Sequence, residues 1–386
     1  MTQQQRSCRL LTVEFSRSEL KQFSDTQAHR QHLSICTSES NIAESFVYEP
    51  GVAGPRIDGI LELASNENPY GASAAVSEIL QQEKSHIHQY PEPHSESLRR
   101  AIANHWRCNE SNILICPGTT SAIDLIARTA LSPSAKAIIP DISFLAYSIS
   151  IRTAGSSAIR STMFDHSIYL DDIINRITHE TAAIFIANPN NPTGTSFSDK
   201  EFSAFIKRVP DNVLVILDQA YAEYSGEPNL PIEHILQNPN LIILRSFSKA
   251  HGLAGLRIGY CVGSVPIIDQ LRHKQAVFSV CGIAQKAALA SLGDSSHISV
   301  SAAKNDLARR KLTAGLRSLG IVVPQSQANF VCAIFFHSIS TLCTQLLQAN
   351  IRVRDLTKWG MPNAIRITIG KITDIDYIIA TIAKLI

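Results

Sequence analysis

The sequence predicts an α/β fold with a mainly parallel sheet, followed by a smaller α+β lobe. From Leu61 onward, Gly, Pro and Asn residues separate short β-branched runs from longer amphipathic stretches, and this alternation is typical of parallel α/β sheets. Three of the short runs are apolar throughout, as strands buried on both faces of a sheet are. Beyond about Val300 the pattern changes to a long helix, two apolar runs and a final helix, which indicates a separate lobe.

The N-terminal segment differs from the rest of the chain. Residues 1–55 are rich in Ser, Gln, Thr and His and lead into the loop-like segment EPGVAGPRIDG, so we interpret them as a polar N-terminal extension. The chain has 386 residues, which is more than a single hydrophobic core usually holds. The length therefore predicts one large domain and one smaller domain.

The composition excludes several classes of protein. The net charge is +2, from 35 basic and 33 acidic residues, so no broad field favours nucleic acid or a membrane surface. No apolar run reaches the roughly 18 residues of a membrane span, and the N-terminus lacks the apolar core of a signal peptide. The eight cysteines form no C-x-x-C pair or metal-type cluster, which favours reduced thiols and no metal site. We therefore expect a cytoplasmic protein that binds small molecules.

Three apolar runs are the strands expected to carry the site. They are AAIFIA (182–187), NVLVIL (212–217) and LIILR (241–245), and each is followed at once by polar residues. In open α/β sheets, ligands bind beyond the carboxyl ends of the strands. The following segments, NPNNPTG, DQAY and SFSKAHG, should therefore converge on one crevice.

Lys249 is the candidate nucleophile in the last of these segments. It comes just after a predicted buried strand and close to Arg257 in sequence. Poor solvation and a neighbouring cation both lower the pKa of an amine. Such an amine can attack an aldehyde and form the Schiff base that enzymes dependent on pyridoxal phosphate use. A plain surface lysine is the alternative, and the neighbouring segments argue against it.

Residues after the other two strands suit the same cofactor. Asp218 ends its strand, where a carboxylate can keep a pyridine nitrogen protonated, although Asp also serves there as a helix N-cap. Tyr221 and Asn191 can hydrogen-bond the phenolic oxygen of such a ring. Either residue could instead close a turn, and N-P-T-G is a turn sequence by itself.

A phosphate site is predicted beside the lysine. In ILICPGTTSAIDLIARTAL a strand runs into a helix that opens at Thr119 and Thr120, and the free N–H groups of a helix start attract anions. An ordinary capped helix is the alternative. Two hydroxyls and a guanidinium near Lys249 could complete the site through charge-assisted hydrogen bonds: Ser246, Ser248 and Arg257.

The glycine-rich segment GLAGLRIG does not indicate a nicotinamide dehydrogenase. Its glycines are spaced G-x-x-G-x-x-x-G and follow the lysine, whereas the dinucleotide fingerprint G-x-G-x-x-G opens the first βα unit.

Six segments in order resemble a known family. From about Leu61 to Ile386, the chain resembles the fold-type I aminotransferases that depend on pyridoxal 5'-phosphate, specifically the histidinol-phosphate aminotransferase branch. The resemblance implies a three-layer αβα large domain over 86–284 and a smaller α+β domain made of 56–85 and 285–386. The segments are LASNENPYG (63–71), YPEP (90–93), ANPNNPTG (187–194), LDQAYAEY (217–224), SFSKAHGLAGLRIGY (246–260) and RVRDLTKWGMPNAIRITIG (352–370).

The resemblance assigns roles around the cofactor. It implies that Lys249 is the Schiff-base lysine, that Asp218 is the partner of the pyridine nitrogen, and that Phe144 stacks on the ring. Taken alone, Phe144 would be a core residue. The implied ligands of the phenolic oxygen are Asn191 and Tyr221, and the implied phosphate ligands are Thr119, Thr120, Ser246, Ser248 and Arg257.

The resemblance also implies substrate and partner contacts. Arg366 resembles the arginine that binds the substrate α-carboxylate as a bidentate fork, a geometry that lysine cannot supply. Arg354 resembles the arginine used for a distal phosphate, and Asn68 is a further substrate-binding candidate. Either arginine could instead be a plain surface residue. Tyr90 resembles the tyrosine that reaches the neighbouring cofactor phosphate across a homodimer with shared sites, although a tyrosine before proline could equally form a turn.

The predicted function is transamination in amino-acid biosynthesis, with histidine biosynthesis implied. The expected donor is histidinol phosphate or a related phosphorylated or acidic amine, and the expected acceptor keto acid is 2-oxoglutarate, in a ping-pong cycle. A phosphoamino-acid decarboxylase similar to threonine-phosphate decarboxylase, or another amino-acid lyase, shares the same motifs and stays open. A binding module without catalysis, as in regulators that carry a DNA-binding domain, is less favoured because residues 1–55 show no helix-turn-helix pattern or basic cluster.

Two positions near the predicted cofactor depart from the pattern of this branch. GTT (118–120) stands where Gly-Ser/Ala-Asp-Glu is common, and Gln219 stands where a glutamate is usual. The first departure changes how the helix start meets the phosphate, and the second removes a carboxylate beside Asp218. Neither changes the lysine, so they bear on the identity of the substrate.

Overall fold

The central sheet of the fold is mainly parallel and has seven strands. The computed structural model describes residues 57–226, 235 and 237–386, so the predicted extension over 1–55 lies outside the described residues. In chain order, the strands of the described part are β1 (Leu61–Glu62), β2 (Ile113–Cys116), β3 (Lys136–Pro140), β4 (Ser157–Ser161), β5 (Met163–Phe164), β6 (Ser167–Ile168), β7 (Thr181–Ala187), β8 (Leu214–Asp218), β9 (Leu241–Ser246), β10 (Gly259–Gly263), β11 (Phe330–Ile334), β12 (Ile351–Arg352), β13 (Arg354–Asp355) and β14 (Ala364–Thr368).

The order of strands in the central sheet is β2-β10-β9-β8-β7-β3-β4. The strands from β9 to β4 pair in parallel, and β10 runs antiparallel to both of its neighbours. The three predicted apolar runs form β7, β8 and β9, which are adjacent. Their carboxyl ends therefore meet at one edge of the sheet, as the sequence predicted.

These strands are apolar throughout because both faces of the sheet are buried. In β7, Ile184 and Ile186 pack into one hydrophobic cluster, whereas Ala183 and Phe185 pack into another. Successive side chains of a strand point to opposite faces, so a strand covered on both sides needs apolar residues at every position.

Helices cover both faces of the sheet. Leu98 and Phe202, which lie on two of the helices, belong to the first cluster, and Ile123 and Ile151, on two others, belong to the second. The described α-helices are α1 (Ala74–Glu83), α2 (Glu96–Trp106), α3 (Thr119–Ala130), α4 (Leu145–Thr153), α5 (Leu170–Asn175), α6 (Asp199–Ile206), α7 (Val265–Lys274), α8 (Gly282–Gly293), α9 (Ser295–Ser318), α10 (Leu342–Gln348) and α11 (Ile375–Leu385). This arrangement confirms the predicted α/β class with helices on both sides of the sheet.

A second sheet lies in the C-terminal part of the chain. Strands β11, β14 and β13 form an antiparallel sheet in that order, and β1 pairs in parallel with β12. Leu312 of α9, Ile367 of β14 and Ile378 of α11 share the hydrophobic core of this part. The change of pattern after Val300 thus corresponds to a second sheet, in which β11, β14 and β13 pair antiparallel.

The predicted domain boundaries stay a prediction. Residues 57–386 belong to one compact unit. The predicted boundary between 284 and 285 falls inside α8, where Ala284 and Ala287 pack into the same hydrophobic cluster.

Gly252 ties the segment after β9 to the strap, which we define as residues 63–71. Its φ angle is +71°, and a Cβ atom there would lie 2.3 Å from the carbonyl oxygen of Gly71. We expect Gly252→Ala to lower the free energy of unfolding by at least about 2 kcal/mol, because both the left-handed backbone and the backbone contact disfavour a side chain. Urea unfolding measures the loss.

Gly320→Ala is the matched control for this prediction. Gly320 has a φ angle of +79°, but a Cβ atom there would meet no atom within 4 Å. Only the backbone strain of about 1–2 kcal/mol applies at that position. Equal losses for the two variants would contradict a close contact between the strap and the segment after β9.

Candidate active site

A cavity of about 680 Å³ lies at the carboxyl ends of β7, β8 and β9. Segments after all three strands contribute to its lining, as expected for an open α/β sheet. The cavity brings together eleven of the fourteen predicted site residues: Thr119, Thr120, Phe144, Asn191, Asp218, Tyr221, Ser246, Ser248, Lys249, Arg257 and Arg366.

The amine of Lys249 is the nucleophile that the cavity offers. Its Nζ donates a hydrogen bond to the carbonyl oxygen of Ser65 at 3.1 Å. Burial of the amine lowers the pKa of Lys249 to about 7, and the positive charge of Arg366 acts in the same direction, against the carboxylates of Glu67 and Asp218. A large fraction of this amine is therefore neutral at pH 7, as attack on a carbonyl carbon requires.

Asp218 is a buried carboxyl group at the end of β8, with an exposed fraction of 5%. Its Oδ1 accepts a hydrogen bond from the backbone N–H of Ala220 at 3.0 Å, and its Oδ2 accepts one from the hydroxyl of Tyr147 at 2.9 Å. Burial raises the pKa of Asp218 to about 6, although these two hydrogen bonds and the charge of Lys249 oppose the rise. The group is thus mainly ionised at pH 7, inside an otherwise poorly solvated site.

Asn191 and Tyr221 are held by partners from distant parts of the chain. The Nη1 of Arg366 donates to Asn191 Oδ1 at 2.5 Å, which leaves the amide N–H groups of Asn191 as donors. The Nδ2 of Asn66 donates to the hydroxyl oxygen of Tyr221 at 3.0 Å. A hydroxyl that accepts one hydrogen bond still carries a proton to donate, so both side chains can present donors to an oxygen in the cavity.

The first turn of α3 and Arg257 form a site for an anion. Gly118 has a φ angle of +83°, and a Cβ atom there would lie 2.7 Å from the Nη2 of Arg257. A side chain at position 118 would therefore displace the guanidinium from the helix start. Arg257 also donates to the carbonyl oxygen of Ala254 at 3.0 Å and to the hydroxyl of Ser248 at 3.4 Å. The N–H groups of a helix start lack intrahelical partners, and together with the guanidinium they suit a phosphate.

Aromatic rings line the cavity beside Asp218. Phe144 is the N-cap residue of α4, and its ring contacts the ring of Tyr147 edge-on at 5.8 Å between centroids. Tyr147 in turn stacks on Phe185 of β7 at 5.6 Å. The three rings link α4 to the sheet and give the cavity an apolar wall on which a flat ring can pack.

Arg366 is buried in the second sheet and reaches the cavity from β14. Besides Asn191, it donates from Nη2 to the carbonyl oxygen of Ala64 at 2.7 Å, and its guanidinium lies 5.4 Å from the ring centroid of Phe330. A guanidinium held in this way is suited to bidentate recognition of a carboxylate.

The three remaining predicted residues lie outside the lining of the cavity. The guanidinium of Arg354 packs over the ring of Trp359 at 4.9 Å, on a strand position directly opposite Arg366. Asn68 donates from Nδ2 to the carbonyl oxygen of Ala250 at 2.9 Å. Tyr90 is 83% exposed. The roles implied for these three residues stay predictions.

Several residues that line the cavity were not predicted. Among them are Ala64, Ser65, Asn66 and Glu67 of the strap and Tyr147 of α4. Among the asparagines of NEN, Asn66 faces the cavity, whereas the prediction chose Asn68. The spacing of Phe144 and Tyr147, one turn of helix apart, is the sequence signal that could have identified the tyrosine.

Gln219 follows Asp218 and is buried, with an exposed fraction of 6%. Its Oε1 accepts no hydrogen bond from any described residue. The departure from the family pattern thus lies next to Asp218 in the sequence, and its side chain is buried.

The donor set of the cavity fits pyridoxal phosphate. An amine suits its aldehyde, a carboxylate suits its ring nitrogen, and an anion site suits its phosphate. Across the described ranges, no group of three or more His, Cys, Asp or Glu residues could hold a metal ion. No helix in that part of the chain has the length and apolar character needed to cross a membrane.

Comparison with known proteins gives a consistent match. The family model of aminotransferase class I and II matches residues 58–382. The chain is 34% identical over 337 residues to histidinol-phosphate aminotransferase 2 of Methylococcus capsulatus, an alignment that covers 85% of this chain and 90% of that protein.

Solved structures share the fold. The crystal structure of histidinol-phosphate aminotransferase from Sinorhizobium meliloti in complex with pyridoxal-5'-phosphate has a TM-score of 0.79 at 24% identity, covering 84% of this chain and 90% of that chain. L-threonine-O-3-phosphate decarboxylase from Porphyromonas gingivalis has a TM-score of 0.74 at 21% identity, covering 84% and 98%. At these identities the two structures establish the fold and leave the reaction open.

Proposed function

Because the chain belongs to the aminotransferase class I and II family, we propose that it transfers the amino group of histidinol phosphate to 2-oxoglutarate. Its cofactor is pyridoxal phosphate. Curated relatives at 33–34% identity over most of the chain are named histidinol-phosphate aminotransferases. The observation that carries the proposal is the single cavity that holds Lys249, Asp218 and the anion site together.

Different residues of the cavity have different roles in the proposed reaction. Bound pyridoxal phosphate supplies an electron sink for the electron pair that remains when the substrate loses a proton. Lys249 holds the cofactor and then acts as the base that takes the α-proton, a role that its lowered pKa of about 7 permits. Asp218 would serve as the carboxylate partner of the ring nitrogen, and the first turn of α3 with Arg257 would hold the phosphate.

Asn191, Tyr221 and Arg366 orient the reactants. The amide of Asn191 and the hydroxyl of Tyr221 would donate to the phenolic oxygen of the cofactor. Arg366 binds the carboxylate beside the keto group of the acceptor. Since Arg366 also contacts Asn191, binding of the acceptor and orientation of the cofactor are coupled through one hydrogen bond.

Arg354 is proposed to bind the phosphate of the donor. In support, its strand position is directly opposite Arg366 in the antiparallel pair, so both side chains project from the same face of the sheet. We expect Arg354→Ala to raise the KM for histidinol phosphate about 10- to 100-fold, because a charge-assisted hydrogen bond is lost. The KM for 2-oxoglutarate should stay within twofold in steady-state assays.

Arg352→Ala is the matched control for Arg354. Arg352 lies two residues earlier and donates from Nη1 to Glu62 Oε1 at 2.5 Å. Loss of this ion pair should lower the stability of the fold and leave the KM values for histidinol phosphate and 2-oxoglutarate unchanged. An unchanged KM for histidinol phosphate in Arg354→Ala would contradict the proposed phosphate contact.

The proposal includes a homodimer with shared sites. In support, Tyr90 is 83% exposed, and its ring lies 4.7 Å from that of Phe278. Both residues line a groove of about 730 Å³ that also carries the exposed Ile87 and Leu289. An exposed apolar groove of this kind is typical of an interaction surface, and Tyr90 would reach the cofactor phosphate of the partner subunit from it.

A cytoplasmic location and a role in histidine biosynthesis complete the proposal. The names of the relatives support the pathway. The six described cysteines are free, which agrees with a reducing compartment.

The test is a half-reaction with the purified, cofactor-loaded enzyme and a panel of donors. Histidinol phosphate should convert the cofactor to its amino form, and 2-oxoglutarate should restore it with formation of glutamate. Release of carbon dioxide from phosphothreonine without glutamate formation would instead select the decarboxylase. If no donor changes the cofactor spectrum, the protein is a binding module without catalysis, and the proposal is overturned.

A further inference from the structure

The strongest feature beyond the predicted site is the hydroxyl of Tyr147. It donates to Asp218 Oδ2 at 2.9 Å, across 71 positions of the sequence. Tyr147 is fully buried, so water does not compete for this hydrogen bond. Burial and the charge of Asp218 raise the pKa of Tyr147 well above its usual range, so the hydroxyl keeps its proton and remains a donor.

The ring of Tyr147 has little freedom to move. It stacks on Phe185 at 5.6 Å with an interplanar angle of 28°, and it meets Phe144 edge-on at 5.8 Å. Aromatic contacts of this geometry fix the ring plane and with it the direction of the hydroxyl. The position of the hydroxyl is thus set by β7 and α4, not by the segment that carries Asp218.

The two hydrogen bonds that Asp218 accepts use only part of the acceptor capacity of its carboxylate. Each carboxylate oxygen accepts up to two hydrogen bonds. Ala220 takes one site on Oδ1 and Tyr147 takes one on Oδ2. The carboxylate therefore keeps acceptor capacity on both oxygens while its plane is held from two sides.

We infer that Tyr147 is a positioning residue that holds the Asp218 carboxylate ionised and oriented toward the ring nitrogen of pyridoxal phosphate. A buried carboxyl group without donors would take up a proton and lose its use as a partner for a protonated pyridine. The hydroxyl of Tyr147 favours the charged form without adding a competing charge. Phe144 and Tyr147 thus bring the predicted stacking ring and this hydroxyl to the cavity from one end of α4.

The other groups that face Asp218 cannot replace this hydroxyl. Lys249 stabilises the negative charge, but it is proposed to hold the cofactor and to act as base. The thiol of Cys261 on β10 remains neutral, because a hydrogen bond with Cys116 and burial raise its pKa, and the charge of Asp218 acts in the same direction. Tyr221 interacts electrostatically with Tyr147 and is proposed to serve the phenolic oxygen of the cofactor.

The test is Tyr147→Phe, which removes the hydroxyl and keeps the stacked ring. We expect the cofactor to dissociate more readily, with a Kd increased about 10- to 100-fold as for the loss of a hydrogen bond to a charged group. The factor should be larger at pH 6 than at pH 8, because the variant carboxyl protonates at a higher pH. Titration of cofactor-free protein with pyridoxal phosphate, followed by absorbance at both pH values, measures this without any donor.

Tyr260→Phe is the matched control. Tyr260 is also buried, and its hydroxyl accepts from the indole N–H of Trp106 at 3.1 Å, without a hydrogen bond to Asp218. This variant should bind the cofactor with the wild-type pH dependence. Thermal unfolding of both cofactor-free variants verifies that each remains folded.

A double variant makes the inference specific to Asp218. In the Asp218→Asn background, Tyr147→Phe should add less than about twofold to the Kd and should leave the pH dependence unchanged, because no ionisation remains to be controlled. Tyr147→Phe with wild-type affinity, or with equal losses at pH 6 and pH 8, would overturn the inference. Since no donor is present, this result is independent of whether histidinol phosphate is the substrate.

Discussion

Lys249→Ala is expected to lower kcat for transamination by at least about 10³-fold, because the variant loses both the attachment of the cofactor and the base for the α-proton. Lys249→Arg should be equally inactive. A guanidinium stays protonated at every accessible pH and can neither attack an aldehyde nor accept a proton. Stopped-flow absorbance with histidinol phosphate measures the loss.

The attachment itself has a separate readout. Reduction of the loaded enzyme with borohydride, followed by denaturation and mass spectrometry, should fix one cofactor per wild-type chain and none in either variant.

The lowered pKa of Lys249, about 7, has a further consequence. The rate at which cofactor-free protein captures pyridoxal phosphate should rise as the pH passes 7 and then level off, since the neutral amine is the reactive form.

Lys304→Ala is the control for this experiment. Lys304 packs over the ring of Tyr70 at 4.8 Å and does not line the cavity. The Lys304→Ala variant should retain full activity, and borohydride should fix the cofactor to it as in the wild type. Borohydride fixation of the cofactor in Lys249→Ala would show that another amine attaches it and would contradict the assignment.

Asp218→Asn is expected to lower kcat about 10²- to 10³-fold, because an amide cannot stabilise a protonated ring nitrogen as a carboxylate does. The KM for the donor should change little, since the proposed partner of Asp218 is the cofactor and not the donor. Asp306→Asn, at a surface position where the carboxylate pairs with Arg309, should retain the wild-type kcat. Pre-steady-state rates of the first half-reaction distinguish the two variants.

The same substitution should stabilise the cofactor-free protein at neutral pH. Burial raises the folded-state pKa of Asp218 from 3.8 to about 6, so the folded protein binds the proton more tightly than the unfolded chain. The stability of the wild type therefore falls as the pH rises from about 4 through 6. The neutral amide avoids this loss, and we expect Asp218→Asn to be about 1–3 kcal/mol more stable at pH 8.

Chemical unfolding of the cofactor-free wild type and the Asp218→Asn variant at pH 4 and pH 8 tests the direction of this stability difference. The advantage of Asp218→Asn should be full at pH 8 and small at pH 4, where the wild-type carboxyl is protonated in the folded protein and about half protonated in the unfolded chain. A variant that is less stable than the wild type at pH 8 would contradict the burial argument. The expected combination of lower activity and higher stability is typical of functional groups held in a strained electrostatic environment.

The parts of the site that follow from strand ends were predictable. The runs that became β7, β8 and β9 are apolar and are followed by Asn191, Asp218 and Lys249. Parallel neighbours place such residues at one edge of a sheet without any knowledge of the side-chain packing. The resemblance then assigned Phe144 and Arg366, and the structure places both in the cavity.

Other parts were not predictable because they depend on packing between distant segments. Asn66 lies in the left-handed region with a φ angle of 54°, and its hydrogen bond to Tyr221 spans 155 positions. The motif LASNENPYG alone does not reveal which asparagine turns inward. Arg354 and Arg366 are both arginines in apolar surroundings, yet only Arg366 reaches the lining of the cavity.

By itself the sequence determined the α/β class, the three strands that carry the site, and the lysine, the carboxylate and the helix start that meet there. These follow from hydrophobic periodicity and from the rule that parallel strands share a carboxyl edge. Only the tertiary structure decided that Lys249 donates a hydrogen bond to Ser65 of the strap and that Tyr147 donates one to Asp218. Such contacts arise when a helix or a loop packs on a sheet, and the free energy of that packing depends on side chains that are far apart in the chain.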